Sequence, residues 1–159
     1  MDCKISTEFL IQTARPCDLP GIVALRERNL RRYMEKDELP LSTHHETLWR
    51  RCAEAIASPF ARVDVVLDGA EVVGCLFLRL TENPLNSQCL IALQEVFVIE
   101  PSHRGQGLGR ALLERGEKWA RDHQAEAIGL ACHTGEDLDD WFMKHGYPAY
   151  ETFRIKRLE

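Results

Sequence analysis

Arg104-Gly105-Gln106-Gly107-Leu108-Gly109-Arg110-Ala111-Leu112-Leu113 sets three glycines at alternate positions and then begins a helical pattern at once. Before it, Ala92-Leu93-Gln94-Glu95-Val96-Phe97-Val98-Ile99-Glu100 is strand-like and runs into Pro101. The stretch therefore reads as strand, glycine turn, helix. The first backbone N–H groups of a helix have no partner within it, and the macrodipole places partial positive charge there. Glycines let a ligand approach that backbone without Cβ atoms in the way. Arg104 and Arg110 add full charge. This chemistry suits phosphate oxygens. A glycine-eased helix start with no ligand is the competing reading, and the charge and the strand–turn–helix setting weigh against it. Two nucleotide patterns fail here. Counting Gly105 as the first position, the Walker A motif needs glycine at the sixth, and three after Gly107 the dinucleotide fingerprint needs glycine; Arg110 occupies both places. What remains is R-x-x-G-x-G, met by Arg104, Gly107 and Gly109.

Outward from the turn, residues 108–123 read as a helix with Leu108, Ala111, Leu112 and Trp119 on its inner face. Glu114/Lys118 and Glu117/Arg121 have the i,i+4 spacing of surface ion pairs. A short strand is expected at 126–132. A short helix at 136–145 follows, capped by Thr134 and ended by Gly146. A last alternating strand is expected at 151–157, with Phe153 and Ile155 on one face. On the N-terminal side, residues 9–13 read as a strand. Asp18 is the candidate cap of a helix running through 19–36, and 45–57 reads as a second helix. Valine-rich 61–67 and the strand 71–80 flank Asp68-Gly69, a tight-turn signal. Asn83 to Ser87 breaks the chain before a long strand at 88–99. The order is β-α-α-β-β-β-α-β-α-β, which predicts one sheet with helices packed on it.

A chain of 159 residues, 45% hydrophobic and 28% charged, fits one globular domain. Its formal net charge of −5 argues against a general nucleic-acid binder. No apolar run approaches a membrane span, and the N-terminal stretch does not read as a secretion signal. The cysteines form no C-x-x-C pair, and several sit inside apolar runs. Reduced cytoplasmic thiols packed as small core residues are expected, with no metal.

Val96-Phe97-Val98-Ile99-Glu100-Pro101-Ser102-His103-Arg104-Gly105-Gln106-Gly107-Leu108-Gly109-Arg110-Ala111-Leu112-Leu113 resembles the acetyl-CoA motif of the GNAT superfamily of N-acetyltransferases. The element order resembles that family over nearly the whole chain. Val72-Val73-Gly74-Cys75 and the late Trp141-Phe142-Met143-Lys144-His145-Gly146-Tyr147 fit it too. The resemblance implies one N-acetyltransferase domain over 1–159. Its α/β (α+β) fold would be a single mixed, mostly antiparallel splayed β-sheet with helices on both faces. The fourth and fifth strands would part where the pantetheine arm of acetyl-CoA enters. The resemblance puts the pyrophosphate on the amides of Arg104, Gly105, Gln106, Gly107, Leu108, Gly109 and Arg110. It puts backbone groups of Phe97 and Val98 along the pantetheine and acetyl group. A primary amine of a small molecule (an aminoglycoside or polyamine among the candidates) or of a peptide would accept the acetyl group. A homodimer is compatible with it, whereas nucleic acid, membrane and metal are not implied.

An ammonium is no nucleophile, so a proton acceptor is required. Glu95, on the long strand before its apolar end, is the candidate base; an ordinary glutamate paired with an arginine is the bland alternative. His133 is a candidate relay after the fifth strand, and Cys132 beside it reads as core. Many family members carry a tyrosine in the late helix that protonates the departing thiolate. Here Phe142 stands four residues before Gly146, and Gly135 stands where an asparagine is frequent. Tyr147 and Tyr150 are the candidate substitutes. This departure leaves a non-catalytic acyl-CoA-binding or sensor domain as the rival function. Glu35, Asp37 and Glu38 could attract a cationic amine, though a solvated helix end explains them equally. Arg26, Arg28, Arg31 and Arg32 spread around a helix and read as a solvated face. Trp49, Trp119 and Trp141 read as packing anchors.

Overall fold

Among the described residues five strands form one sheet in chain order: β1 (Leu10–Thr13), β2 (Ala61–Asp68), β3 (Glu71–Asn83), β4 (Asn86–Ile99) and β5 (Ala125–Gly129). The helices are α1 (Leu19–Glu35), α2 (His45–Ala57), α3 (Leu108–Asp122) and α4 (Leu138–Lys144). The computed structural model describes residues 9–36, 42–131 and 138–150. The first four strands pair antiparallel, while β4 and β5 pair parallel. The sheet is thus mixed and mostly antiparallel, as expected. Asp68 pairs with Glu71 and Gly69 has a φ of 60°, so the Asp68-Gly69 signal makes a tight hairpin. The break expected at Asn83 to Ser87 is smaller than its composition suggests. Asn83 pairs with Asn86, leaving only Pro84 and Leu85 in the turn, and both strands run longer than predicted.

Both faces are covered, so β2 and β3 read as near-continuous apolar runs instead of alternating. Cys75, Phe77, Val96 and Val98 pack under α1 and α2 with Ile22, Leu25 and Cys52. Val66, Leu76, Leu78 and Ala92 pack under α3 and α4 with Leu108, Leu112, Trp119 and Phe142. Cys52 and Cys75 are fully buried, which matches the core reading, whereas Cys17 is exposed and Cys89 only half-buried. Burial pushes the Cys75 thiol up to about 12, so it is inert at neutral pH. Helix α3 lies so close to the sheet that a Cβ on Gly116 would meet Leu78 at 2.7 Å and Leu76 at 2.9 Å.

Some local expectations change. Asp18 stands at the N-cap position of α1, as expected, but its side chain makes no capping bond to that helix. Its side chain accepts the Arg15 N–H at 2.7 Å, closing a 3-10 turn at Pro16–Asp18 just before the helix. On α3, Glu117 does pair with Arg121 at 3.3 Å. Glu114 instead takes Arg110 at 2.8 Å, and Lys118 takes Asp122 at 2.7 Å. Both arrangements satisfy the same i,i+4 spacing. Gly146, with a φ of 89°, ends α4 as expected. Cys132, His133, Thr134 and Gly135, with Asp37, Glu38 and the strand expected at 151–157, lie outside the described residues.

One charge sits inside the apolar run of β2. Asp64 is fully buried, yet Arg62 donates to it from Nε at 3.0 Å and Arg115 of α3 from a terminal nitrogen at 3.1 Å. This pairing ties α3 to the second strand. Removing the carboxylate would leave two guanidinium groups without their counter-charge in a low-dielectric layer. Asp64→Ala should therefore cost about 3 kcal/mol in urea unfolding at neutral pH. Arg115→Met should cost clearly less, because Arg62 still pairs with the acid.

Candidate functional site

The glycine turn and the strand before it are built as one unit. β4 ends at Ile99, a 3-10 turn spans Pro101–His103, and Gly105 and Gly107 follow with φ of 77° and 79°. These left-handed angles suit glycine and strain other residues. No atom lies within 4 Å of where a Cβ would stand on either glycine, so the turn is open to a ligand. Gly107 is the N-cap of α3, and no side chain caps that helix. The Ala111 N–H makes the bond to the Gly107 carbonyl at 3.0 Å. The amides of Leu108, Gly109 and Arg110 precede it at the positive end of the helix dipole. Gly109 serves a different end: a Cβ there would meet Phe97 at 3.2 Å and Trp141 at 3.6 Å. Arg104 lies exposed at the turn, its guanidinium donating to the Ile99 carbonyl at 3.1 Å. Arg110 is turned along α3 toward Glu114, so its charge is shared.

The strands part just upstream. Among the described residues β5 pairs with β4 only from Leu90 to Leu93. At the next residue the Gln94 side chain takes over. Its amide donates to the Ala131 carbonyl at 3.1 Å and accepts the Ala131 N–H at 3.2 Å, as a strand neighbour would. One residue on, Glu95 is a bulge: Leu78 pairs with Gln94 and Phe77 with Val96, leaving Glu95 unopposed. Past this point every second residue of β4 aims its N–H and C=O into the vacated side. A cleft of about 110 Å³ opens here, lined by Glu95, Val96, Phe97 and Val98 from β4 and by Arg26, Asn29 and Leu30 from α1. It adjoins, through Leu30, a groove of about 490 Å³ between α1 and α2 that holds Glu27, Arg31, Met34, Glu35 and His45.

Glu95 occupies the place expected of it, and an arginine holds it. Arg79 donates from Nε to one oxygen at 2.6 Å and from a terminal nitrogen to the other at 3.4 Å. Arg51 of α2 stands 3.9 Å away. The bond to Glu95 raises Arg79 above even its ordinary range. Nearby, Glu100 receives Arg28 at 3.3 Å and a very close contact from Arg32. Burial opposes its charge, yet Arg32 and Arg28 outweigh burial and hold its carboxyl below the usual carboxylate range. These two contacts pin the end of β4, where the turn begins, to α1.

Tyr147, a sequence candidate for the acid, donates its hydroxyl to Glu117 of α3. Burial, followed by that bond, pushes its proton affinity well above the phenol range. Tyr150 is 90% exposed and Phe142 is buried, its ring 6.0 Å from Phe97. The arginines of α1 do not form one solvated face. Arg28 and Arg32 hold Glu100, while Arg26 turns inward over the Phe77 ring at 5.6 Å. The sequence pattern missed Arg26, Asn29, Gln94 and Arg79 as parts of this site. A polar residue in an otherwise apolar strand was the available signal for Gln94.

A strand edge freed beside a glycine-opened helix mouth has the chemistry to suit an extended, phosphate-bearing carrier. The model of the acetyltransferase (GNAT) family matches residues 24–147, and the chain belongs to that family. A transcriptional regulator from Bacillus halodurans C-125 has the same fold, with a TM-score of 0.77 at 21% identity; 94% of this chain and 100% of that one align. A predicted acetyltransferase from Clostridium acetobutylicum, solved with acetyl-CoA, gives a TM-score of 0.76 at 16% identity over 94% and 96%. A Trypanosoma brucei acetyltransferase gives 0.69 at 21% identity over 96% and 99%. Comparison with curated proteins finds no match.

The turn makes a test with two readouts. Gly107→Ala should cost about 1 kcal/mol of stability from its left-handed φ alone. Gly107→Glu should also abolish the thermal shift given by acetyl-CoA, because it adds bulk and negative charge in the open cradle. An unchanged shift in the glutamate variant would remove the turn from the binding site.

Proposed function

We propose that the chain is an acetyl-CoA-dependent N-acetyltransferase that moves an acetyl group directly to a primary amine of a small molecule or peptide. The supporting observation is the left-handed, unobstructed glycine turn at the mouth of α3, set at the end of a strand edge freed after Leu93. The amides of residues 104–110 fit a pyrophosphate, and the vacated side of β4 at Phe97 and Val98 fits an amide-rich arm that pairs as a peptide would. An N–H of that stretch would bear the charge that develops on the thioester oxygen. The turn opens α3 on one face of the sheet, and the cleft under Arg26 and Leu30 opens on the other. The two substrates thus approach from opposite faces, and the amine attacks without a covalent enzyme intermediate. Residues 1–159 would act as one cytoplasmic domain. Among the described residues no helix is long and apolar enough to cross a membrane.

Glu95 takes the proton of the ammonium, directly or through water. Arg79 occupies one lone pair on each oxygen, and a carboxylate has about four such sites. The remaining ones face the cleft. Arg79 fixes the orientation of the acid, so a bound water suits the transfer. Phe142 has no proton to give, and Tyr147 is engaged by Glu117; the departing thiolate therefore takes its proton from solvent or from the amine by way of Glu95. This same pair of observations favours a second reading, an acyl-CoA-binding sensor that turns over slowly or not at all.

Thermal stabilisation by acetyl-CoA, followed by CoA release over a panel of amines, separates the two. Stabilisation with turnover supports the enzyme, and stabilisation alone supports the sensor. Glu95→Gln should lower kcat/KM by about 100-fold near pH 7 and much less near pH 10, where free amine is plentiful. An equal loss at every pH would make Glu95 an anchor for Arg79 only.

A further inference from the structure

Among the described residues arginine charge is mostly answered by a carboxylate. Arg15, Arg28, Arg32, Arg50, Arg51, Arg62, Arg79, Arg110, Arg115 and Arg121 all stand in ion pairs. Among the described residues the exceptions are Arg26, Arg31 and Arg104. Arg104 belongs to the phosphate turn. Arg26 lines the inner cleft beside Glu95, and Arg31 lines the outer groove. Two of the three unanswered guanidinium groups therefore face the side from which the acceptor comes.

Arg26 is the informative one. It is half-buried on the sheet side of α1. One terminal nitrogen approaches the Cys52 sulfur at 3.3 Å, and the group lies over Phe77. Sulfur is a weak acceptor and a ring face a weak anion substitute, so neither neutralises the charge. Both do fix where the planar fork lies. The nearest acid in the cleft, Glu95, is taken by Arg79 and Arg51. The inner cleft thus carries an excess positive charge, held rigidly and partly desolvated. A polycationic acceptor would meet repulsion there. A carboxylate would complete the fork.

We propose that the acceptor is an amine that also bears a carboxylate, such as a free amino acid or a short peptide, and that Arg26 binds that carboxylate while the amine faces the bulge at Glu95. This rests on the acetyltransferase reading and narrows its substrate. A phosphate monoester carries nearly two charges and would ask for more than the single unpaired arginine of the inner cleft.

The test uses matched pairs of acceptors, each amino acid against its carboxamide, together with polyamines, aminoglycosides and amino-sugar phosphates. For the best acid, kcat/KM should exceed that of its amide by about 10- to 100-fold, through KM. Arg26→Gln should bring that ratio close to one, and Arg26→Lys should restore part of it. Arg26→Met, which keeps the packing on Phe77, repeats the test should the glutamine variant fold poorly. Each variant's thermal shift with acetyl-CoA should match the parent's. The inference is overturned if amides, polycations or phosphates outrun every acid, if no acid is acetylated although acetyl-CoA binds, or if the ratio survives the loss of Arg26. Absence of any acetyl-CoA shift in the parent protein would instead overturn the acetyltransferase reading, and this inference with it.

Discussion

The parting of β4 from β5 after Leu93 is the constraint on which the rest of the site depends. A strand that loses its neighbour exposes backbone donors and acceptors, and a buried layer tolerates that only where something else meets them. The protein handles the fork in two steps. The Gln94 side chain stands in for the missing backbone at Ala131, so the separation begins without an orphaned pair. The bulge at Glu95 then puts two consecutive residues toward α1 and α2: Val96 enters that core, while Glu95 meets Arg51 and Arg79. Counted from Ala92 in the layer beneath α3, regular alternation already places Glu95 on the α1–α2 face, and the bulge brings Val96 onto that face beside it. The irregularity thus falls where the strand edge is freed, with the carboxylate at its mouth.

The charges around that opening run against the composition of the chain. The net formal charge is −5, which taken alone suggests a cationic partner. The acids, however, are largely consumed by neighbours. Glu100 is held by Arg28 and Arg32, Asp64 by Arg62 and Arg115, Glu95 by Arg79. Net charge describes the field far from the molecule; a cleft feels only what lies within about a Debye length and is not already paired. In the inner cleft that remainder is Arg26.

The fold was legible wherever one residue type permits a single backbone solution. The alternate glycines before an amphipathic helix, Asp68-Gly69 between valine-rich runs and Gly146 after α4 all took the conformations their chemistry implies. Signals with two local solutions were resolved by the fold. On α3 the run of Arg110, Glu114, Lys118 and Asp122 admits more than one i,i+4 pairing, and Asp18 chose the turn before the helix over the helix itself. Asp64, Gln94 and Arg26 were not legible as site or core elements. Each acquires its meaning from a partner far along the chain: Arg115, Ala131 and Cys52. No periodicity within a segment encodes such a pairing. The arginines of α1 show this best, since neighbours on one helix end up in a core contact, a strand clamp and a groove.

The aromatic wall behind the strand explains why the late helix can lack a proton donor. Phe97 stacks on Phe142 and lies 6.0 Å from Trp141, and both press on the turn through Gly109. A hydroxyl at position 142 would have to be satisfied inside that layer, which is apolar and only 4% exposed at this point. Phenylalanine avoids that cost and stiffens the strand whose backbone the carrier would follow. The neighbouring hydroxyl, on Tyr147, is drawn off to Glu117 and anchors the end of α4 to α3. The helix thus stiffens this side of the sheet, and Glu95, the proposed proton acceptor, stands across it. On that proposal the asymmetry puts the chemistry of the acceptor, and not the departure of the thiol, under the control of the protein.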